Sequence, residues 1–304
     1  MRKKISGLCC IENEFSDIIL LKQKKREGKA SAINLFLKYA KGDIVVLESG
    51  DTIPAEDTIE HLTQPFKNPN VGMTGGRPVP VNNKDTFLGF TVHLLWNLHH
   101  MLAIKHPKLG ELIAFRRHLI KQIPVDTAVD EAFIEAIITE KGYKLEYVPE
   151  AVVYNKGPET ISDFLRQRRR IFAGHIHLKK IKGYAPSSMK ICILKLILKN
   201  AVSCPRDIYT LGAIALELYG RILGLYDFYI KNENPFIWNI AKTTKDIKYD
   251  AKKIQLWSVL NQNHEQILPE TGFVPNIILN QALITKTLPT IPKEQKKLKY
   301  EKGT

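Results

Sequence analysis

Four cysteines in 304 residues is a small complement, and Cys9, Cys10, Cys192 and Cys204 have neither metal-ligand spacing nor the spacing of a disulfide framework. Reduced, cytosol-facing thiols are the plain expectation. The first residues do not read as a secretory leader: Arg2, Lys3 and Lys4 are basic, but Glu12, Glu14 and Asp17 come soon after them and a long apolar core is lacking. No internal repeat is apparent. The balance of charge is far from neutral, at a formal +14, which points to an anionic partner; nucleic acid, an anionic lipid surface and pyrophosphate substrates all fit by charge alone. A nucleic-acid-binding protein would also need a reading motif or interleaved aromatic and basic residues, and this chain has neither.

What is present suffices for a sizeable core. The length exceeds one typical domain and 44% of residues are hydrophobic, so one large domain plus an appendage is the natural division. The organising stretch runs from Lys24 to Pro54. A basic glycine turn (Lys25, Arg26, Glu27, Gly28, Lys29) leads into a helix over Ala30 to Tyr39 and then an unbroken apolar run, Ile44 to Leu47. Such a run bounded by turn residues reads as a strand buried on both faces. Glu48, Ser49, Gly50 and Asp51 follow at its carboxyl end, where open α/β sheets place their ligands.

Other elements can be set around that stretch. A short strand is expected over Asp17 to Gln23, a helix over Ala55 to Leu62, and an edge strand over Val71 to Val81 because prolines interrupt it. Phe87 to Ile104 reads as a strongly apolar helix whose His93, His99 and His100 lack a carboxylate at ligand spacing and serve packing. In the next strand, Lys108 to Arg117, Gly110 lets a ligand approach the backbone and Glu111 follows it. Ala132, Phe133, Ala136 and Ile137 recur at helical spacing and Gly142 ends that helix, which puts Asp130 and Glu131 in its first turn, exposed at the positive end of the dipole. Lys144 to Asn155 reads as strand, turn and strand. Thr160 with Asp163 three residues later is a capping signature, and the helix it opens carries Gln167, Arg168, Arg169, Arg170 and Ile171, with Gln167 and Arg170 on one face.

In this order and near these spacings, the Gly-Lys turn with its Ala-x-Asn helix, the strand-end Asp51, the acidic pair and the Gln-x-x-Arg helix resemble family 2 glycosyltransferases, over about Asp17 to His175. The resemblance implies a GT-A-type α/β fold, a Rossmann-like mixed sheet flanked by helices, and inverting transfer from a nucleotide sugar such as a UDP- or GDP-sugar. Asp51 matches the second aspartate of the Asp-x-Asp motif, which holds a divalent cation (Mn2+ or Mg2+) through oxygen ligands. Ser49 stands where the first would be, and Glu48 lies one residue too early.

Asp130 and Glu131 match the family's acidic pair with identities reversed. By that match Glu131 is the base that deprotonates the acceptor hydroxyl, with Asp130 as its orienting neighbour or the alternative base. Gln167 and Arg170 fall on the Gln-x-x-Arg-Trp motif, with Ile171 in place of Trp. An arginine there stabilises the charge on the leaving diphosphate. Arg26 and Lys29 join Ser49 and Asp51 on the donor side, while Gly110 and Glu111, with the trailing arginine of their strand, shape the acceptor and sugar pocket. The missing Trp argues against a processive polysaccharide synthase. Family members carry further strand-helix units ahead of the basic turn, so the resemblance implies a shortened domain whose missing units a separate polypeptide could supply.

From about Gly183 the character changes. Met189 to Leu198 reads as a basic amphipathic helix suited to a membrane interface. Ile208 to Tyr226 approaches bilayer-spanning length, but Glu217 and Arg221 within it favour monotopic or oligomer-buried packing over a span. Trp238 and the tyrosines Tyr219, Tyr226 and Tyr229 suit an interfacial belt. A helix over Ile254 to Leu268 and a disordered, Lys- and Pro-rich end from Thr287 are expected further on. The divisions are then 1–182 for the catalytic domain, 183–248 for a helical, membrane-associated region and 249–304 for the tail. The expected function is glycosyl transfer to a lipid-linked or cell-surface glycan acceptor, at the cytoplasmic face of the membrane and with no nucleic-acid partner. A degenerate, noncatalytic member of the same family is the alternative.

Overall fold

The computed structural model describes residues 27–186 and 207–232, the strands 275–279 and 282–285, and the isolated positions 19, 21, 23 and 244. Arg26, Trp238, the four cysteines, the helices suggested over 189–198 and 254–268, the end from Thr287 and most of the strand suggested over 17–23 lie outside the described residues.

Helix α1 (Lys29–Tyr39) starts after Gly28, whose φ of 94° is a conformation that side-chain-bearing residues rarely adopt. It buries Ala30, Ile33, Phe36 and Leu37 along one stripe. Strand β1 (Ile44–Glu48) is buried at every position. Val45 and Leu47 join a core cluster with Phe36, Phe115 and Phe133, whereas Ile44 and Val46 join a second one with Leu62, Phe66 and Val153. Side chains alternate across a strand, so an unbroken apolar run feeds the cores on both faces of the sheet.

The remaining strands are β2 (Thr52–Pro54), β3 (Val71–Pro80), β4 (Leu112–Arg116), β5 (Lys144–Asn155), β6 (Pro275–Leu279) and β7 (Ala282–Thr285), in the order β2-β5-β3-β4-β1-β6-β7. The sheet is mixed: β1 runs parallel to β6 and antiparallel to β4, and β3 runs parallel to β5. Helices α2 (Thr58–Thr63), α3 (Phe87–Lys105), α4 (Asp130–Glu140), α5 (Ile161–Lys182) and α6 (Asp207–Tyr229) complete the chain order. The fold is a mixed α/β sheet flanked by helices, the class the sequence implied.

Several local expectations change. The strand with the prolines is not at an edge, since β3 lies between β5 and β4. It pairs with β4 only from Met73 to Gly75, so Pro78 and Pro80 fall beyond that ladder and sacrifice no bond on that side. Lys144 to Asn155 is one strand rather than two. Its ladder with β3 jumps from Gly75↔Tyr147 to Arg77↔Val152, and this register shift occupies the place of the expected turn. The helix after Pro54 begins only at Thr58, after Asp57. Part of the tail enters the sheet, because β6 pairs with β1 over Ile44 to Leu47 and β7 pairs with β6.

Candidate active site

Chain reversals at one rim of the sheet bring distant polar residues together. The β1 strand ends at Glu48 and turns through Ser49 to Asp51: Ser49 O accepts from Thr52 N at 3.0 Å and from Thr52 Oγ1 at 2.6 Å. Ser49 N donates to Glu111 O at 3.2 Å, which sets the start of β4 against the acidic turn. Glu111 itself has φ 61°, the left-handed region that costs a side-chain-bearing residue strain. Lys29 opens α1, Asp130 and Glu131 open α4, and Arg170 lies in α5.

These groups act on one another electrostatically. Lys29 Nζ donates to Glu131 Oε1 across 102 residues of sequence, with about a fifth of each side chain exposed. Burial alone would raise the Glu131 carboxyl, but the charge and hydrogen bond of Lys29 carry it below the usual carboxylate range. Burial likewise opposes the charge of Lys29, and Glu131 followed by Asp130 more than restores it. Asp130 is buried and pushed up to about 7, by desolvation first and by Glu131 among its neighbours, against the pull of Lys29 and Arg170. Its Oδ1 has no hydrogen-bond partner. Glu111 also rises to about 7, through burial first and then the like charge of Asp51. Arg170 is drawn down by burial, and Asp130, Glu131, Glu111 and Asp51 oppose that.

Of the residues singled out from sequence, Lys29, Asp51, Glu111, Asp130, Glu131 and Arg170 thus form one cluster. Ser49 and Gly110 frame it through backbone, and Gln167 lies one turn before Arg170 on α5. Two expectations need correction. The acidic pair is not an exposed helix start, because Asp130 is only 2% exposed where the α4 N-terminus packs against its neighbours. The trailing arginines of β4 are remote from the acids: Arg116 pairs with Ile44, at the opposite end of β1 from Glu48, and binds the carbonyls of Val71, Phe66 and Asn68, while Arg117 holds Gly42 O.

Periodicity alone does not reveal the supporting residues. Glu135, fully buried in α4, accepts from Leu109 N at 2.6 Å and from Tyr184 Oη at 3.0 Å, and so holds the segment that presents Glu111. A carboxylate four residues after Glu131 in an otherwise apolar helix is its visible signal. Asn34, the asparagine of the Ala-x-Asn pattern, exchanges both amide bonds with Ile123, at 2.7 and 2.8 Å, and ties α1 to the segment before α4. Arg168 and Arg169, about a quarter and a third exposed, turn away from the acid cluster. Arg168 pairs with Glu217 at 2.6 Å and Arg169 holds Asp227 through two bonds, both acids belonging to α6. Of the histidines, His93 meets Asn82 O at 2.9 Å and His100 meets Tyr147 Oη at 2.9 Å, while His177 stacks edge-on with Phe228.

A mixed sheet flanked by helices, with a strand-end acid, a helix-start acid pair and a facing arginine gathered at one rim, defines an α/β protein with a charged cluster there. Residues 10–174, just over half of the chain, match the profile of the family described as glycosyltransferase like family 2, and the chain belongs to that family. It is 25% identical over 170 residues to a poly-beta-1,6-N-acetyl-D-glucosamine synthase of Staphylococcus aureus (strain COL), covering 52% of this chain and 41% of that protein. It is 24% identical over 176 residues to an N-acetylglucosaminyltransferase of Rhizobium sp. (strain N33), covering 51% and 38% respectively. The chain therefore spans less than half the length of these curated relatives. Among solved structures, a mannosyltransferase from Pyrobaculum calidifontis in complex with GDP-Man and Mn2+ aligns over 69% of this chain and 64% of that one, at 25% identity and a TM-score of 0.43.

Proposed function

We propose that this chain is an inverting glycosyltransferase that moves a sugar from a nucleotide-sugar donor to a hydroxyl of a lipid-linked or cell-surface glycan, at the cytoplasmic face of a membrane. What carries the reading is the convergence of Lys29, Asp51, Glu111, Asp130, Glu131 and Arg170, from segments far apart in sequence, in a protein of glycosyltransferase-like family 2. Glu131 takes the proton of the acceptor hydroxyl as that oxygen forms its bond to the anomeric carbon. The bond from that carbon to the diphosphate breaks on the opposite side, and the nucleoside diphosphate leaves with the electron pair. Arg170 and Lys29 are the cations that receive its charge. Asp130, pushed up to about 7, is the neighbouring carboxyl that keeps its proton into the neutral range.

A divalent cation fits this rim. Among the described residues no group of three or more His, Cys, Asp and Glu side chains is set to hold a metal ion. An ion that bridges a diphosphate needs only one or two protein carboxylates, with substrate oxygens completing its shell. Asp51, with Glu111 facing it closely enough to feel its charge, would supply them; the cation would neutralise the departing diphosphate.

Calorimetric titration with UDP and GDP, with and without Mn2+, tests this. Metal-dependent binding that Asp51→Ala abolishes is the expected outcome. Binding of neither nucleotide, with the protein folded, would leave the noncatalytic alternative.

A further inference from the structure

Helix α6 is polar inside and apolar outside. Toward α5 it turns Glu217 and Asp227, 6% and 7% exposed, into ion pairs with Arg168 and Arg169; Arg221 reaches Glu217 at 2.9 Å and covers the Phe172 ring. Gly220 and Gly224 allow the close approach, since a Cβ there would lie 2.9 Å from Arg168 Cβ and 3.0 Å from Arg169 O. Away from α5 it shows Ile208, Leu211, Leu218, Ile222, Leu225 and Tyr229, of which Ile208 is 78% and Tyr229 64% exposed. These positions recur at intervals of three, four and seven, so they form one stripe along the helix. Tyr219, Tyr226 and Ile230 widen it and are also exposed. A soluble surface helix has the reverse arrangement.

We infer that this outward stripe is a docking surface for an anionic lipid bilayer, in which α6 lies flat at the interface. Charge complements it at one end: Lys180 Nζ sits 5.9 Å from the Phe228 ring centre and Lys231 Nζ 6.0 Å from that of Tyr226. Both ammonium groups therefore flank the end of the stripe, at the level where phosphate headgroups would lie. The α6 acid between those two rings in sequence, Asp227, is turned to Arg169 instead.

Spanning is incompatible with the packing. The helix is long and apolar enough to cross a membrane, but its contacts with α5 run from Gly220 beside Leu165 to Phe228 beside Lys180, so the two helices lie side by side. A crossing α6 would drag Arg168, Arg169 and Arg170 into hydrocarbon. A second copy of the chain fits less well. A helix pair needs a narrow apolar seam with charged flanks, and here the flanks are Tyr219, Tyr226 and Ile230, which a bilayer would cover and a single partner helix would leave wet. Because α5 carries Arg170, docking through α6 fixes the acid cluster's height and tilt above the lipid. The use of that orientation for a lipid-linked acceptor rests on the activity proposed above; the docking itself does not.

The test is flotation of the full chain with vesicles of phosphatidylcholine, with and without phosphatidylglycerol, beside its mass by light scattering and its nucleotide binding in solution. We expect binding to the anionic vesicles, weakened at least tenfold by Leu218→Glu/Ile222→Glu and about fivefold per lysine by Lys180→Ala/Lys231→Ala, with nucleotide binding unchanged. Tyr226→Trp, which keeps the stripe apolar, should add to the emission of the three native tryptophans a component, absent from the wild type, that shifts to the blue on binding and is quenched by brominated acyl chains. Equal binding by the stripe variant, equal affinity for neutral vesicles, an indole signal from Tyr226→Trp that those chains leave unquenched, or a wild-type dimer that Leu218→Glu/Ile222→Glu makes monomeric would each overturn the proposal. Loss of nucleotide binding by the wild type would instead strike the proposed activity and leave the docking result standing.

Discussion

The ammonium of Lys29 rests on the carboxylate of Glu131, so the group matched to the donor side and the group matched to the base are one ion pair. A carboxylate neutralised in this way has little affinity for a proton. A donor diphosphate arriving at Lys29 would compete for it and leave Glu131 a stronger base. Glu131→Gln should therefore lower kcat by about a hundredfold to ten-thousandfold while leaving nucleotide binding in place. Asp130→Asn, altering a group already protonated up to about pH 7, should cost far less. A reversed order in steady-state kinetics would make Asp130 the base.

Lys29→Met removes both functions of the same nitrogen. With its largest favourable charge gone, the Glu131 carboxyl should titrate higher. The acid limb of the pH profile for kcat/KM should accordingly move to higher pH, and nucleotide affinity should fall. An unmoved acid limb would show that the limb does not report Glu131.

Stability should decline as pH rises through the neutral range. Glu48, 3% exposed at the end of β1, is pushed from 4.5 up to about 8 by burial, against the Thr52 hydroxyl at 3.2 Å. Between those values the folded chain keeps a proton that the unfolded chain gives up, so stability present at acidic pH is lost as pH rises toward 8. Glu111, Glu135 and Asp130, each raised to about 7, act in the same direction. Glu48→Gln keeps the acceptor for Thr52 and removes the titration. Thermal unfolding from pH 5 to 8 should show the melting temperature of the wild type falling more steeply than that of Glu48→Gln.

Much of the rim was legible because its residues answer local rules. A four-residue apolar run between turn residues reads as a buried strand whose end turns, and Thr160 caps the helix it precedes: its hydroxyl accepts from Asp163 N at 3.2 Å. The Glu217 and Arg221 charges within an apolar helix argued only against a simple span; that Glu217 meets Arg168 of α5 was not to be read from them. Partnerships over long distances left no such trace. Nothing within α1 indicates that Lys29 meets Glu131, and nothing near β4 indicates that Arg116 clasps the carbonyls of Val71 and Phe66. Proline misplaced β3 because the rule concerns one lost donor, and β3 lacks a partner on its β4 side beyond Gly75.

Glu135 should behave as a positioning residue. Removing its carboxylate by Glu135→Ala leaves the Leu109 amide buried without its acceptor, at a cost of about 1–3 kcal/mol, whereas Tyr184→Phe should cost about 1 kcal/mol. Because Leu109 precedes Gly110 and the strained Glu111, loosening it should raise KM for the donor more than it lowers kcat. Urea unfolding and steady-state kinetics on the two variants separate stability from positioning. A kcat loss as large as that of Glu131→Gln, with KM unchanged, would instead place Glu135 among the reacting groups.

The α5–α6 contact should transmit its integrity to the donor site. Asp227→Ala removes the two-bond partner of Arg169, itself about a third exposed, and should cost about 1 kcal/mol. Gly224→Val should act on the same contact by steric means, since even a Cβ at that position would lie 3.0 Å from Arg169 O and 3.1 Å from Phe172 Cβ. Neither substitution touches the acid cluster. Arg170 follows Arg169 directly, however, and any rotation of α5 about its axis moves the guanidinium relative to Asp130, Glu131 and Asp51. Both variants should therefore weaken nucleotide binding severalfold in calorimetry while leaving the Lys29–Glu131 pair in place. Unchanged nucleotide affinity in a destabilised Asp227→Ala protein would mean that α6 braces the fold without setting the position of Arg170.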